Sequence, residues 1–152
     1  MTTALFRKLN LGLQSEIHVL NAPPTFEPEL ERLEGVRVHR QVGGGQRVAF
    51  ALAFAVSQAE LDAASRALAR AADGDAVLWF AYPKASSKRY TCDFNRDRGW
   101  TVLGAAGFEG VRQVAIDDDW TALRFRRVEF IKSLTRAPER ASSVAGKART
   151  AR

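Results

Sequence analysis

The sequence predicts an α/β fold: a three-layer, mostly parallel sheet with helices on both faces and a C-terminal antiparallel hairpin. Three observations predict it. Val48, Phe50, Leu52, Phe54 and Val56 alternate with Ala49, Ala51, Ala53 and Ala55. Both faces of that run are apolar and both need cover, as in a strand inside a parallel sheet. An amphipathic helical segment follows it, and another follows the next apolar strand, Ala76–Tyr82, the alternation that builds parallel strand–helix units. Finally, Val111–Ile116 and Ala122–Val128 are separated only by Asp117-Asp118-Asp119-Trp120-Thr121, a link that suits a hairpin and is too short for a crossover.

In chain order, Ala4–Asn10 suits a short helix with Leu5, Phe6 and Leu9 on one side. Ile17–Leu20 is the first strand, stopped by Asn21-Ala22-Pro23-Pro24 because prolines cannot continue a ladder. Pro28 fits the first turn of a helix running to Leu33, with Phe26, Leu30 and Leu33 inward and Gly35 at its end. Val36–His39 is the second strand. The linker around Gly43-Gly44-Gly45 is too short for a crossover helix. The second and third strands therefore pair as a hairpin, or an extended segment runs back along the sheet. Eight extended residues reach roughly 26 Å, more than the roughly 17 Å of a five-residue strand. Ser57 and Glu60 form a capping box for a helix to Ala72, burying Leu61, Ala64, Leu68 and Ala71. Asp73-Gly74-Asp75 ends it. Asn95 suits the N-cap of a helix to Ala106, with Trp100 and Leu103 inward.

Length and charge divide the chain. The 152 residues suit a single α/β domain over residues 1–132, followed by a basic, flexible tail over 133–152. Of the net charge of +6, residues 132–152 carry +5 (six Lys and Arg against Glu139), leaving +1 for the rest. A near-neutral folded part excludes a basic nucleic-acid-binding face, so nucleic acid is expected only weakly, through the tail. The single cysteine, Cys92, fits a reducing compartment. Met1–Leu20 has no apolar signal core, and the longest apolar run is far short of a membrane span. A soluble cytoplasmic protein without membrane contact is expected.

Several segments resemble a small bacterial family of uncharacterised proteins with a shortened class I methyltransferase-like, Rossmann-type core. The matching pieces are VLNAP at 19–23, YPKASSK at 82–88, DFNRD at 93–97 and IDDDWTALRFR at 116–126. The resemblance covers about residues 5–130 and implies the fold without an activity. True methyltransferases follow the first strand with a glycine-rich turn and end the second in an acid for the ribose hydroxyls. Here those places read Asn21-Ala22-Pro23-Pro24 and Val38-His39-Arg40-Gln41, and one strand–helix unit is missing. No cofactor is expected on those grounds.

In an open parallel sheet, ligands bind beyond the carboxyl ends of the strands. The candidate site is therefore the crevice between the first and third strands, where Asn21, Ser57, Tyr82 and Lys84 would converge under a loop carrying Ser86, Ser87 and Lys88. Two lysines and two serines suit an anionic group. Asp93, Asn95, Arg96 and Asp97 either orient cations toward that ligand or simply open a helix. No phosphate-loop spacing, nucleophile elbow or metal motif accompanies them. His18 and His39 fall on different strands without a companion ligand, Asp117–Asp119 read as a turn, and Cys92 has no assigned base. Catalytic and metal-ligating residues are therefore not assigned. The expected function is a non-catalytic binding or interaction module with a small anionic-ligand crevice. The alternatives are an enzyme acting on an anionic small molecule and a divergent S-adenosylmethionine-dependent methyltransferase. A homodimer through the hairpin edge strand is the remaining partner expectation.

Overall fold

The computed structural model describes residues 2–131. A six-stranded mixed sheet organises it, built from β1 (Glu16–Leu20), β2 (Arg37–His39), β3 (Val48–Phe54), β4 (Ala72–Pro83), β5 (Phe108–Ala115) and β6 (Trp120–Arg127) in the order β2-β1-β3-β4-β6-β5. The β2-β1, β1-β3 and β3-β4 pairs are parallel, and β6 runs antiparallel to both β4 and β5. The predicted tail lies outside the described residues.

The helices are α1 (Ala4–Lys8), α2 (Glu27–Glu31), α3 (Gln58–Ala71) and α4 (Thr101–Ala105). The two-faced apolar pattern of β3 has the expected consequence. Its Ala51 and Ala53 join Leu61, Ala64 and Leu68 of α3 and Leu103 of α4 in one core layer. Phe50, Leu52 and Phe54 enter the other, with Phe6 of α1, Phe26 and Leu30. Alanines toward α3 let that helix lie close, while the phenylalanines fill the wider gap under short helices. Trp79 locks the second layer, since its fully buried indole Nε1 donates to Leu9 O at 2.7 Å.

The β2–β3 connection takes the extended alternative. Both strands pair with β1, Ile17 opposite Val38 and Val19 opposite Leu52, so residues 40–47 cross β1 without a helix. The crossing is pinned on that face. His18 and His39 stand opposite each other and their rings stack at 4.9 Å. Gln46 Oε1 lies 3.4 Å from His18 Nε2 and accepts the Gly43 N–H at 2.6 Å.

Three local expectations are corrected. Asp73-Gly74-Asp75 does not separate helix from strand: it lies inside β4, as a bulge between the Val48–Ala72 and Phe50–Val77 pairs, with Gly74 at φ 56°. Asn95 does not cap α4, whose first residue is Thr101 and whose N-cap is Trp100 without a side-chain bond. Trp120 is also not in the hairpin turn but opens β6, 2% exposed, against Phe54 and Tyr90.

Candidate functional site

The loop after β4 is held by the hairpin beside it. Asp117 Oδ1 accepts from the N–H groups of Asp119 and Trp120, both at 2.8 Å, which tightens the β5–β6 turn. Asp119 then fixes the loop: its carbonyl accepts from Lys84 N at 2.8 Å and its Oδ1 from the Ser87 hydroxyl at 2.9 Å. Ser87 Oγ in turn accepts from the N–H groups of Arg89 and Tyr90. Consecutive aspartates here build a turn, and among the described residues no group of three or more His, Cys, Asp or Glu could hold a metal ion.

The second half of the loop is a polar turn closed by Asn95, whose Oδ1 accepts from the N–H groups of Asp97 and Arg98 at 2.8 and 3.0 Å. The chain re-enters through Gly99 at φ 109°, where a Cβ would stand 2.6 Å from Phe94 Cβ. Only glycine fits that passage. Trp100 then anchors the loop by donating from Nε1 to Asn95 O at 2.8 Å, with its ring against Tyr82, Phe94 and Phe125.

Between these two halves lies a cavity of about 680 Å³. Of the residues the sequence proposed, Tyr82, Lys84, Ser87, Asn95 and Arg96 line it. Tyr90, Cys92, Phe94, Gln113 and Thr121 are among those that join them. Gln113 and Thr121 carry no motif; only the register of β6 against β4 and β5 brings them to this place. Gln113 Nε2 donates to Tyr82 Oη at 3.3 Å and to Thr121 Oγ1 at 3.1 Å. The Thr121 hydroxyl points on to Val114 O at 3.4 Å. Tyr82 thus accepts from Gln113, and among the described residues its own proton has no acceptor, so it is free to donate into the cavity. Burial pushes the Tyr82 pKa up, against a smaller downward pull from the Arg96 charge. It is a neutral donor at pH 7. Burial likewise pushes the Cys92 thiol up, more than the Phe94 backbone bond lowers it. A protonated thiol is a poor nucleophile.

The other predicted residues lie elsewhere. Ser57 Oγ accepts from Glu60 N at 3.2 Å, and Glu60 Oε1 accepts from Val56 N at 2.9 Å, so Ser57 serves the start of α3. Asn21 Nδ2 donates to Phe54 O at 3.3 Å, tying β1 to β3. Neither lines the cavity that Tyr82 and Lys84 share. Ser86, Lys88 and Asp93 are exposed on the loop, outside the lining.

No family model matches the sequence, and no curated protein matches it. Solved structures do match its fold. The N-methyltransferase NodS from Bradyrhizobium japonicum WM9 superposes with a TM-score of 0.52 at 12% identity, over 81% of this chain and 92% of that one. Its complex with S-adenosyl-L-homocysteine gives 0.53 at 11% identity, over 82% and 84%. The fold is therefore a Rossmann-like methyltransferase fold.

In the methyltransferases that the sequence resembles, S-adenosylmethionine meets the turns after the first and second strands, here β1 and β2. Asn21 has φ 58°, the left-handed conformation a glycine would supply. Its side chain nonetheless bonds across to β3, Pro23 and Pro24 follow, and Phe26 packs on Phe54 at 4.9 Å. Beyond β2, Arg40 is held by Glu27 through bonds of 2.7 and 2.8 Å, where a ribose-binding acid would be expected. These residues do not fit S-adenosylmethionine in the manner of such enzymes.

Proposed function

We propose that this protein binds a small anionic molecule with an apolar or aromatic body in the cavity beyond β4. One observation carries the reading: Lys84 and Arg96 both line a cavity that also exposes neutral donors and aromatic rings. Among the described residues neither cation has an ion-pair partner. An anion would recruit both charges and accept from Tyr82, while Tyr90 and Phe94 would flank its apolar part. Charge-assisted bonds of this kind are worth about 1.5–3 kcal/mol each.

The likeness to NodS, including its complex with S-adenosyl-L-homocysteine, favours a second reading: a divergent S-adenosylmethionine-dependent methyltransferase that takes the anion as its acceptor. The comparisons support that reading better than a module without catalysis. Against it stand the proline-filled turn after β1 and the missing acid after β2. The two readings share the cavity and differ in the cofactor.

Isothermal titration calorimetry separates them. Nucleotides, sugar phosphates, aromatic acids and S-adenosyl-L-homocysteine would be titrated into the full chain and into Lys84→Ala and Arg96→Ala. The expected result is saturable binding of at least one anion, weakened about tenfold or more by either substitution. Binding of S-adenosyl-L-homocysteine as well would establish the methyltransferase reading. If every anion binds the variants as it binds the parent chain, the site is elsewhere.

A further inference from the structure

The opposite face of the hairpin carries a second, unassigned feature. Arg124 of β6 stands across from Trp79 of β4 on one side and directly across from Arg112 of β5 on the other. Like charges facing each other across strands are unfavourable unless something neutralises them. This juxtaposition is made by a bulge. Pairing shifts between Gly110 and Arg112, leaving Val111 as the extra residue. Without that shift Val111 would face Arg124, and Arg112 would point to the other side of the sheet. Bulges that re-aim a side chain cluster next to functional sites.

The carboxylates on this face are spoken for at its far end. Arg126, two residues along β6, donates to Asp75 through Nε at 2.9 Å and Nη2 at 2.6 Å. Glu109, fully buried and with contacts of its own, is the register partner of Arg126. At the near end, among the described residues neither the Arg112 nor the Arg124 side chain has a hydrogen bond or an ion pair. Arg124 is half-buried, and its Nε is enclosed with no acceptor. A charged donor enclosed without an acceptor is costly. Burial and then the charge of Arg126 pull the Arg124 pKa below its ordinary value, the Asp75 carboxylate opposing them.

We propose that Arg112 and Arg124 form an oxyanion-binding site on this face of the hairpin, taking a phosphate or carboxylate group. The ligand accepts from the terminal N–H groups of Arg124, whose guanidinium offers them side by side, and the exposed Arg112 closes over it. The site lies across the sheet from Tyr82, Gln113 and Thr121, so it is independent of the cavity beyond β4.

The test follows the Arg124 Nε–Hε signal by NMR while inorganic phosphate, or malonate as the carboxylate probe, is added to the full chain at constant ionic strength. A saturable shift is expected. It should weaken about tenfold in Arg112→Gln, an exposed substitution that leaves the core intact, and persist unchanged in Lys84→Ala. Adding Arg124→Gln to Lys84→Ala should abolish the phosphate binding that calorimetry still detects in Lys84→Ala alone. A signal that does not move, moves without saturating, or loses its shift in Lys84→Ala but not in Arg112→Gln would overturn the assignment.

Discussion

Single side chains decide where this chain is firm and where it is receptive. Trp79 fills the space under α1 and satisfies the Leu9 carbonyl, so Trp79→Phe should lower stability by about 1–3 kcal/mol in urea unfolding, leaving a buried acceptor unpaired. Ser57→Ala should cost about 1 kcal/mol by the same measurement, the worth of an N-cap, with ligand binding untouched because Ser57 is not in the cavity. Tyr82→Phe is the converse case. Gln113 keeps its bond to Thr121, so stability should change by less than about 1 kcal/mol, while anion affinity falls. The Ser57–Glu60 box was legible because its partners are three residues apart. Asn95 was misread for a physical reason: a helix N-cap and a free polar turn use the same bond, a side-chain oxygen accepting N–H groups two and three residues on. Only the helix that fails to follow tells them apart.

At the level of elements, β3 and α3 declare themselves because one period governs each. The path from β2 to β3 did not, since its length allowed either a hairpin or an overpass. What selects the overpass is pairing on both sides of β1, fixed by His18 opposite His39. That arrangement has a pH consequence. Burial is the main cause lowering the His18 pKa below 6.5, with the charge of His39 adding to it and Gln46 opposing. The folded state therefore binds fewer protons than the unfolded one, and this contribution to stability is present above pH 6.5 and lost as pH falls toward the lower folded value. Glu16, lowered chiefly by its bond to His39, acts in the same sense at more acidic pH. Urea midpoints measured between pH 8 and 5 should fall with acidity, and His18→Gln should flatten the upper part of that slope. An unchanged slope in the variant would show that His18 does not carry the effect. The cavity floor was illegible at this scale as well: Gln113 and Thr121 meet Tyr82 only through a register that the Val111 bulge shifts.

The whole molecule has the Rossmann-like sheet of a methyltransferase fold, with Pro23 and Pro24 filling the turn after β1. The rule that ligands sit beyond the carboxyl ends of parallel strands points to the β1–β3 crevice, while the cavity that Tyr82 and Lys84 line lies beside it, at β4. Asn21 bonds to the Phe54 carbonyl and Phe26 packs on the Phe54 ring between β1 and β3, while a cavity lies at the junction of β4 with the antiparallel hairpin. No helix among the described residues is long and apolar enough to cross a membrane. We propose that ligands enter at the β4–hairpin junction and not at the β1–β3 crevice. Backbone amide NMR of the full chain, titrated with the tightest anion from calorimetry, tests it most directly. Shifts should concentrate at Tyr82–Arg96, Gln113 and Thr121, and need about tenfold more anion to saturate in Lys84→Ala. Shifts centred instead on Asn21–Phe26 and Ser57, surviving that substitution, would contradict it and return the site to the switch point of the parallel sheet.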